Sequence, residues 1–384
     1  MGVCFFCACV KISFAWCGGK IVTLILNFEF INCIFVKILF PMSDKKRTEI
    51  AELGEFGLID TLTRNATTAN KRTIKGVGDD AAVIAAGRDD AMLVSTDTLL
   101  EGIDFDLTYF PLKHLGYKAV TVGVSDILAM NALPEQIMIS IGVSAKLPVE
   151  ALQDLYEGID FACKELGVDL VGGDTTASMT GLVINITTIG RAKRKAISYR
   201  SGAQFNDLIC LTGNLGAAYM GLQLLEREKR VLRDVKNPEP QFGGYEYLLQ
   251  KYLKPRARKD IVEALAEEKI VPTSMIDISD GLASEVLQIC KASKCGARIY
   301  LDRIPIAKQT SALAEEMNAD PVVAALNGGS DYELLVTVPL AMQEQVMRLG
   351  LVDVIGHITR ESTGAYLVTP DGNDIRLRAQ GFKE

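Results

Sequence analysis

Residues 168–174 read Val168-Asp169-Leu170-Val171-Gly172-Gly173-Asp174. We interpret residues 168–171 as a strand that ends at the two glycines and the acid. Upstream, Pro148 is a residue favoured in the first turn of a helix, and Leu155, Ile159 and Leu166 then share one helical face. Downstream, residues 181–190 are rich in β-branched side chains, which favour a strand. This succession of helix and strands predicts a mixed α/β fold class.

The rest of the chain alternates in the same way from residue 42 onward. The patterns predict strands at 91–95, 136–145, 207–212, 274–278, 333–338, 352–358 and 365–368, and helices at 112–131, 215–229, 258–268 and 282–292. A length of 384 residues is too great for one typical core. The polar, basic stretch 191–195 is the predicted boundary. We therefore expect two domains, 42–192 and 193–384, each a sheet with helices packed on it.

Composition excludes some classes of partner. The net charge of −7 argues against a nucleic-acid surface. An acidic protein that handles phosphates needs positive charge from another source, and divalent metal ions are the obvious one. The cysteines beyond residue 41 form no CxxC pair and have no histidine at zinc spacing; they are Cys163, Cys210, Cys290 and Cys295. They are typical of buried apolar residues in a reducing compartment, which predicts a cytoplasmic protein.

The first 41 residues differ from the remainder. They are rich in Phe, Ile and Cys, but charges at Lys11, Lys20, Glu29 and Lys37 divide them into short runs. These runs are far shorter than the ~20 residues needed to cross a bilayer, and no clear signal-peptide pattern is present. Our hypothesis is that translation begins at Met42 and that 1–41 are a non-native or disordered extension. A membrane anchor is the alternative, and the intact mass of the native protein would decide between them.

Familiar catalytic motifs are absent from the sequence. It contains no P-loop, no GxGxxG after a strand, no HExxH and no GxSxG. Its only histidines are His114 and His357, so a histidine-based acid–base mechanism has little to work with. The chemistry must be carried by other residue types.

Aspartates beside glycine, serine or threonine recur at predicted strand and helix ends. The blocks are Gly78-Asp79-Asp80-Ala81, Ser95-Thr96-Asp97-Thr98, Ser125-Asp126, Gly172-Gly173-Asp174-Thr175-Thr176, Asp277-Ile278-Ser279-Asp280-Gly281 and Ser330-Asp331-Tyr332-Glu333. Any one block alone is typical of a turn or a helix cap. Together they indicate acids that converge, which is costly without a cation. Carboxylates suit Mg²⁺, which bridges them to phosphates, so the set predicts a phosphoryl-transfer site.

These six blocks occur in the order seen in the thiamine-monophosphate kinase family, and from about residue 50 to the C-terminus the chain resembles that family. The family belongs to the aminoimidazole ribonucleotide synthetase superfamily. The resemblance implies an N-terminal dimerisation domain that binds ATP and Mg²⁺, and a C-terminal domain with a mixed sheet. It also implies thiamine monophosphate and ATP as substrates, several Mg²⁺ ions, a homodimer formed through the N-terminal domains, and neither nucleic acid nor membrane as a partner.

The resemblance also implies roles for particular residues. The implied magnesium ligands are Asp80, Ser95, Thr96, Asp97, Asp126, Asp174, Asp277 and Asp280. The implied ATP contacts are Gly173, Asp174, Arg200 and Ser279, and the groups expected to matter most for turnover are Asp126, Asp80 and Arg200. The implied contacts to the acceptor substrate are Asp104, Ser330 and Phe382. Asp104 and Ser330 depart from the usual family pattern, which has histidine and glutamate there.

The mechanism implied is direct, in-line transfer of the γ-phosphoryl group of ATP to a phosphate oxygen of thiamine monophosphate. A phosphate monoester has a second pKa of about 6, so it needs no general base at neutral pH. Two alternatives stay open on sequence grounds. One is another enzyme of the superfamily that uses ATP to activate an amide or acyl oxygen, and the other is a non-catalytic nucleotide or metal sensor.

Overall fold

The computed structural model describes residues 48–233, 240–379 and 381–382. The chain divides into two compact units, Met1–Glu52 and Leu53–Glu384. The hypothesis about residues 1–41 concerns a segment outside the described residues. Helix α1 (Ile50–Thr63) is the first element described. Among the described residues, no helix combines the length and the apolar character needed to span a bilayer.

The first sheet is formed by residues 73–193. Its described strands are β1 (Thr73–Lys75), β2 (Ala82–Ala85), β3 (Asp90–Leu100), β4 (Leu133–Val143), β5 (Asp169–Ala177) and β6 (Val183–Lys193). They lie in the order β1-β2-β3-β6-β4-β5, and every pairing is antiparallel except the parallel pair β4–β5. The parallel pair needs a crossover, which helix α3 supplies.

Two helices cover this sheet, α2 (Leu112–Ala129) and α3 (Val149–Leu166). They approach closely because each has a glycine at the crossing. A Cβ at Gly116 would lie 2.0 Å from the Leu155 carbonyl oxygen, and one at Gly158 would lie 1.9 Å from the Lys113 carbonyl oxygen. Most of α2 is buried, because it packs on the sheet, on α3 and on the strand Ser274–Asp277 of the second sheet. Helix α2 therefore joins the two halves of the second unit.

The second sheet is formed by residues 208–376. Its described strands are β7 (Leu208–Thr212), β8 (Ser274–Asp277), β9 (Cys295–Tyr300), β10 (Leu334–Val338), β11 (Val352–Arg360), β12 (Ala365–Val368) and β13 (Asp374–Arg376), in the order β13-β12-β9-β11-β7-β10-β8. The described helices around it are α4 (Ala217–Leu232), α5 (Glu246–Leu253), α6 (Lys259–Glu267), α7 (Leu282–Ser293), α8 (Lys308–Glu316), α9 (Pro321–Asn327) and α10 (Gln343–Arg348). One buried apolar cluster contains side chains of both sheets, and each sheet also has a smaller cluster of its own.

The mixed α/β class with two sheets is confirmed, but some local predictions differ from the structure. Strand β5 does not end at Gly172-Gly173-Asp174; it continues to Ala177, because residues 172–177 keep pairing with β4. Strand β6 continues to Lys193, so the first part of the predicted boundary 191–195 is paired with β3 and is not a loop. Strand β9 and helix α5 have no counterpart among the predicted elements.

Candidate active site

Four aspartates meet where the two sheets face helix α2. Asp80 precedes β2, Asp97 lies in β3, Asp126 is near the end of α2, and Asp277 ends β8. One carboxylate oxygen from each of Asp80, Asp126 and Asp277 lies within 4.8 Å of the other two. The Oδ2 atoms of Asp80 and Asp97 are buried and have no hydrogen-bond partner within the part of the chain that the structure describes.

Burial and mutual repulsion make this cluster costly as bare carboxylates. Burial, and then the charge of Asp97, raise the pKa of Asp126 well above its ordinary value. Burial and the charge of Asp80 raise the pKa of Asp97 to about 6 and that of Asp277 to about 7. Anionic oxygen atoms that converge and lack donors are the ligands that hard divalent cations prefer. The residues present therefore fit a Mg²⁺ site.

Arg200 is the cation closest to this cluster among the described residues. Its Nη2 and Nε atoms donate to Asp80 Oδ1 at 2.6 and 3.2 Å. Its backbone N–H donates to Asp79 Oδ1 at 3.1 Å. Burial and the charge of Asp80 raise the pKa of Asp79 to about 6. Asp79, which the sequence left without a defined role, thus holds the backbone of the arginine, while Asp80 holds its side chain.

A second group of predicted residues adjoins the cluster. The backbone N–H of Ser330 donates to the Ser279 carbonyl at 2.7 Å, so these two predicted ligand contacts are neighbours. Tyr332 follows two residues later; its phenol side chain is buried, and its backbone N–H donates to the Ile278 carbonyl at 2.9 Å. Burial and the charge of Asp277 raise the pKa of this phenol, with smaller contributions from Asp97 and Asp104. The Asp104 carboxylate itself makes a local contact, since its Oδ2 accepts from the Leu100 backbone N–H at 2.7 Å.

Ser95 and Thr96 directly precede Asp97 in β3, whereas Gly173 and Asp174 lie in another strand. The Ser95 hydroxyl donates to the Gly123 carbonyl of α2, and Thr96 lies on the opposite face of β3, 3.2 Å from the Thr187 hydroxyl. Gly173 and Asp174 lie in the exposed strand β5, which two strands, β4 and β6, separate from β3. With neighbouring strands about 4.8 Å apart, that separation is roughly 14 Å.

The remaining two residues lie beyond the cluster. Asp280 is exposed, and its backbone N–H donates to Glu285 Oε1 at 2.9 Å. Phe382 packs on Phe56 of α1 with ring centroids 4.8 Å apart. It lines a cavity of about 580 Å³ together with Leu377 and other residues of the C-terminal segment. Its role as a substrate contact stays a prediction.

The acids of the block 330–333 support the structure around the cluster. Asp331 accepts from the backbone N–H groups of Gly216 and Ala218 at the start of α4. Glu333 is buried, and its carboxylate pairs with Arg258 and, at 2.9 Å, with Lys251. Those charges lower its pKa against the effect of burial. Sequence reasoning did not separate these supporting acids from the convergent ones, since an Asp-Tyr-Glu block offers no local sign of where its carboxylates point.

Comparison with known proteins agrees with this geometry. The model of the AIR synthase related protein N-terminal domain matches residues 78–192, and that of the C-terminal domain matches residues 206–368. Fold and site therefore define a two-domain protein of the AIR synthase related class. The thiamine-monophosphate kinase of Buchnera aphidicola (subsp. Schizaphis graminum) is 36% identical over 340 residues, which cover 86% of this chain and 98% of that protein. The enzyme of the same name from Bacillus subtilis is 30% identical over 335 residues, which cover 86% of this chain and 99% of that protein.

Among solved structures, AaThiL complexed with AMPPCP and TMP superposes with a TM-score of 0.74 at 29% identity. The match covers 88% of this chain and 99% of that one. The chain belongs to the thiamine-monophosphate kinase family. This membership confirms the resemblance read from the six sequence blocks, and it confirms the predicted assignment to the kinases, which are transferases.

Proposed function

We propose that this protein phosphorylates thiamine monophosphate to thiamine diphosphate at the expense of ATP, with Mg²⁺ as the metal. The observation that carries the proposal is the convergence of Asp80, Asp126 and Asp277 within 4.8 Å in a member of this family. The bound AMPPCP and TMP of the AaThiL structure support the choice of donor and acceptor. A purely structural role does not explain this cluster, since neighbouring like charges destabilise the folded protein.

We assign the metal-holding role to Asp80, Asp97, Asp126 and Asp277. Divalent ions held there would neutralise the charge on the phosphates of both substrates and orient them for transfer. Arg200 has a planar guanidinium suited to phosphate oxygens, and Asp80 keeps it beside the cluster. Ser279 lies two residues after Asp277 in the sequence, and we assign it to nucleotide binding.

We assign the acceptor to the region of Tyr332, whose phenol is influenced by the charges of Asp277, Asp97 and Asp104 and by the neighbouring Ser330. The thiazolium ring is a cation, so the Asp104 carboxylate suits it. Because the acceptor phosphate is already largely ionised at neutral pH, this chain needs no general base, and we propose direct in-line transfer without a phosphoenzyme.

A homodimer belongs to the proposal. Strand β5 is an exposed edge strand whose Leu170 and Val171 are 41% and 56% exposed. An exposed apolar edge strand is a surface that native proteins usually cover. Asp174 on this strand lies far from the cluster of its own chain, so its predicted role with metal and ATP is best served at an interface. A cytoplasmic location is also proposed, supported by the free thiols of Cys163, Cys210, Cys290 and Cys295.

One assay tests the activity. The full chain is incubated with ATP, Mg²⁺ and thiamine monophosphate, and thiamine diphosphate and ADP are quantified by chromatography; we expect equal amounts of both. ATP made chiral at the γ-phosphorus then tests the route, because one in-line transfer inverts that centre and a phosphoenzyme would retain it. Failure to form thiamine diphosphate, with the metal bound, would reject the proposed function. Sedimentation velocity tests the dimer.

A further inference from the structure

The acid cluster depends on a contact that crosses between the two matched domains. Ser125 lies in α2, within residues 78–192, and Asp277 ends β8, within residues 206–368. The Ser125 hydroxyl donates to Asp277 Oδ2. Both residues are almost completely buried, at 2% and 3% exposure. A hydroxyl that donates to a carboxylate in a water-free setting makes a strong, oriented hydrogen bond.

This bond constrains how Asp277 presents its charge. The serine holds Oδ2 and thereby fixes the orientation of a carboxylate that has one oxygen within 4.8 Å of carboxylate oxygens of Asp80 and Asp126. Donors of this kind orient metal-binding carboxylates, and their loss weakens metal binding about 10- to 100-fold. The packing of α2 does not require this bond to Asp277, because a buried serine can instead donate its hydroxyl hydrogen to a backbone carbonyl of its own helix.

We propose that Ser125 is a positioning residue that fixes the Asp277 carboxylate for divalent-metal binding and thereby sets the metal affinity of the site. The proposal rests on the proposed function, since it deepens the metal role assigned to Asp277. Ser125 acts through Asp277. Because serine is neutral, it adds no charge to the cluster.

The chain contains a matched control on the same helix. Thr121 lies one turn before Ser125, is fully buried, and also bonds across to the other domain, where its hydroxyl donates to the Pro255 carbonyl at 3.3 Å. Pro255 is not part of the acid cluster. Removing either hydroxyl deletes one buried inter-domain hydrogen bond, but only the Ser125 hydroxyl touches a proposed metal ligand.

The experiment measures Mn²⁺ affinity by electron paramagnetic resonance on the full chain, without nucleotide or acceptor. We expect Ser125→Ala to weaken the tightest Mn²⁺ site at least about tenfold, while Thr121→Val stays within about twofold of the wild type. In an Asp277→Asn background, Ser125→Ala should have no further effect, because the serine acts through that carboxylate. If Ser125→Ala does not fold, Ser125→Cys takes its place in the experiment. The cysteine side chain is only slightly larger than serine and is a weaker donor, so Mn²⁺ binding should again weaken.

Equal Mn²⁺ affinity in Ser125→Ala and the wild type would overturn the inference, as would equal losses in Ser125→Ala and Thr121→Val, which would indicate a general effect of domain docking. Failure of the proposed function looks different. In that case the wild type binds Mn²⁺ and Ser125→Ala weakens it, but thiamine diphosphate is not formed.

Discussion

Asp126→Asn is the most informative single change, because it removes one charge from the cluster at constant side-chain size. Carboxylate oxygens 4.8 Å apart repel by about 3 kcal/mol per pair at an effective dielectric constant of about 20. The variant loses the repulsion between Asp126 and each of Asp97, Asp277 and Asp80, but it also loses the attraction to the Arg200 guanidinium. The raised pKa of Asp126 reduces the repulsion further near neutral pH. We therefore expect a net increase of about 1–2 kcal/mol in the free energy of unfolding without divalent cations.

The same change should abolish most of the activity. The asparagine amide is a neutral and weaker ligand, so the proposed metal would be held poorly and the phosphates less well neutralised. We expect turnover to fall at least about 100-fold. Urea denaturation in EDTA measures the stability, and thiamine diphosphate formation at saturating ATP and Mg²⁺ measures the turnover. Asp160→Asn is the control, since Asp160 is an exposed carboxylate on α3 that pairs with Lys164.

The two readouts together make the test demanding. A gain in stability with a loss of activity is what a convergent, functional acid cluster requires, because function is then maintained at a cost to the fold. Turnover within threefold of the wild type would show that Asp126 does not hold a metal ion that the reaction needs. A large loss of stability in EDTA would show instead that Asp126 is a structural acid, and the metal assignment would have to be abandoned.

In EDTA, the melting temperature should fall as pH rises from about 4 to 7, because Asp277, with its pKa raised to about 7, binds more protons folded than unfolded. Mg²⁺ should remove much of that fall; a flat profile in EDTA contradicts the assignment. Glu333→Gln removes the ion-pair partner of Lys251 and leaves Arg258 with Asp260 alone, so urea denaturation should show a loss of about 3 kcal/mol. Gly173→Ala places a Cβ 1.9 Å from the Ile139 carbonyl oxygen and should lower the melting temperature. Gly172→Ala, with its nearest atom at 3.8 Å, should be tolerated.

Local sequence patterns identified the parts of this fold that short-range chemistry determines. Apolar periodicity predicted a helix at 112–131, and α2 spans Leu112–Ala129. The acids Asp80, Asp126 and Asp277, 197 residues apart from first to last, were predicted to converge because each terminates or borders an element beside small residues. That prediction needed only the cost of like charges and the affinity of carboxylates for cations.

Local sequence patterns did not predict contacts between residues far apart in the chain, such as the pairing of strands. Two glycines and an acid predicted the end of a strand at Gly172-Gly173-Asp174, yet the chain continues as β5 because β4 lies alongside it. Gly173 serves there to let the backbone pass close to the Ile139 carbonyl. The donation from Ser125 to Asp277 has no sequence signal either, since serine beside aspartate is common and its partner is 152 positions away.

Helix α2 has a consequence for the order in which this protein matures on the ribosome. Three of the four clustered acids precede residue 130, but the fourth is Asp277, in a strand packed against one side of α2. A nascent chain that has emerged only as far as β6 leaves that side of α2 in water and presents an incomplete set of ligands. The proposed cation site would therefore be complete only after more than two thirds of the chain has been synthesised, and a gene fragment encoding either half alone should yield neither that site nor a well-covered helix.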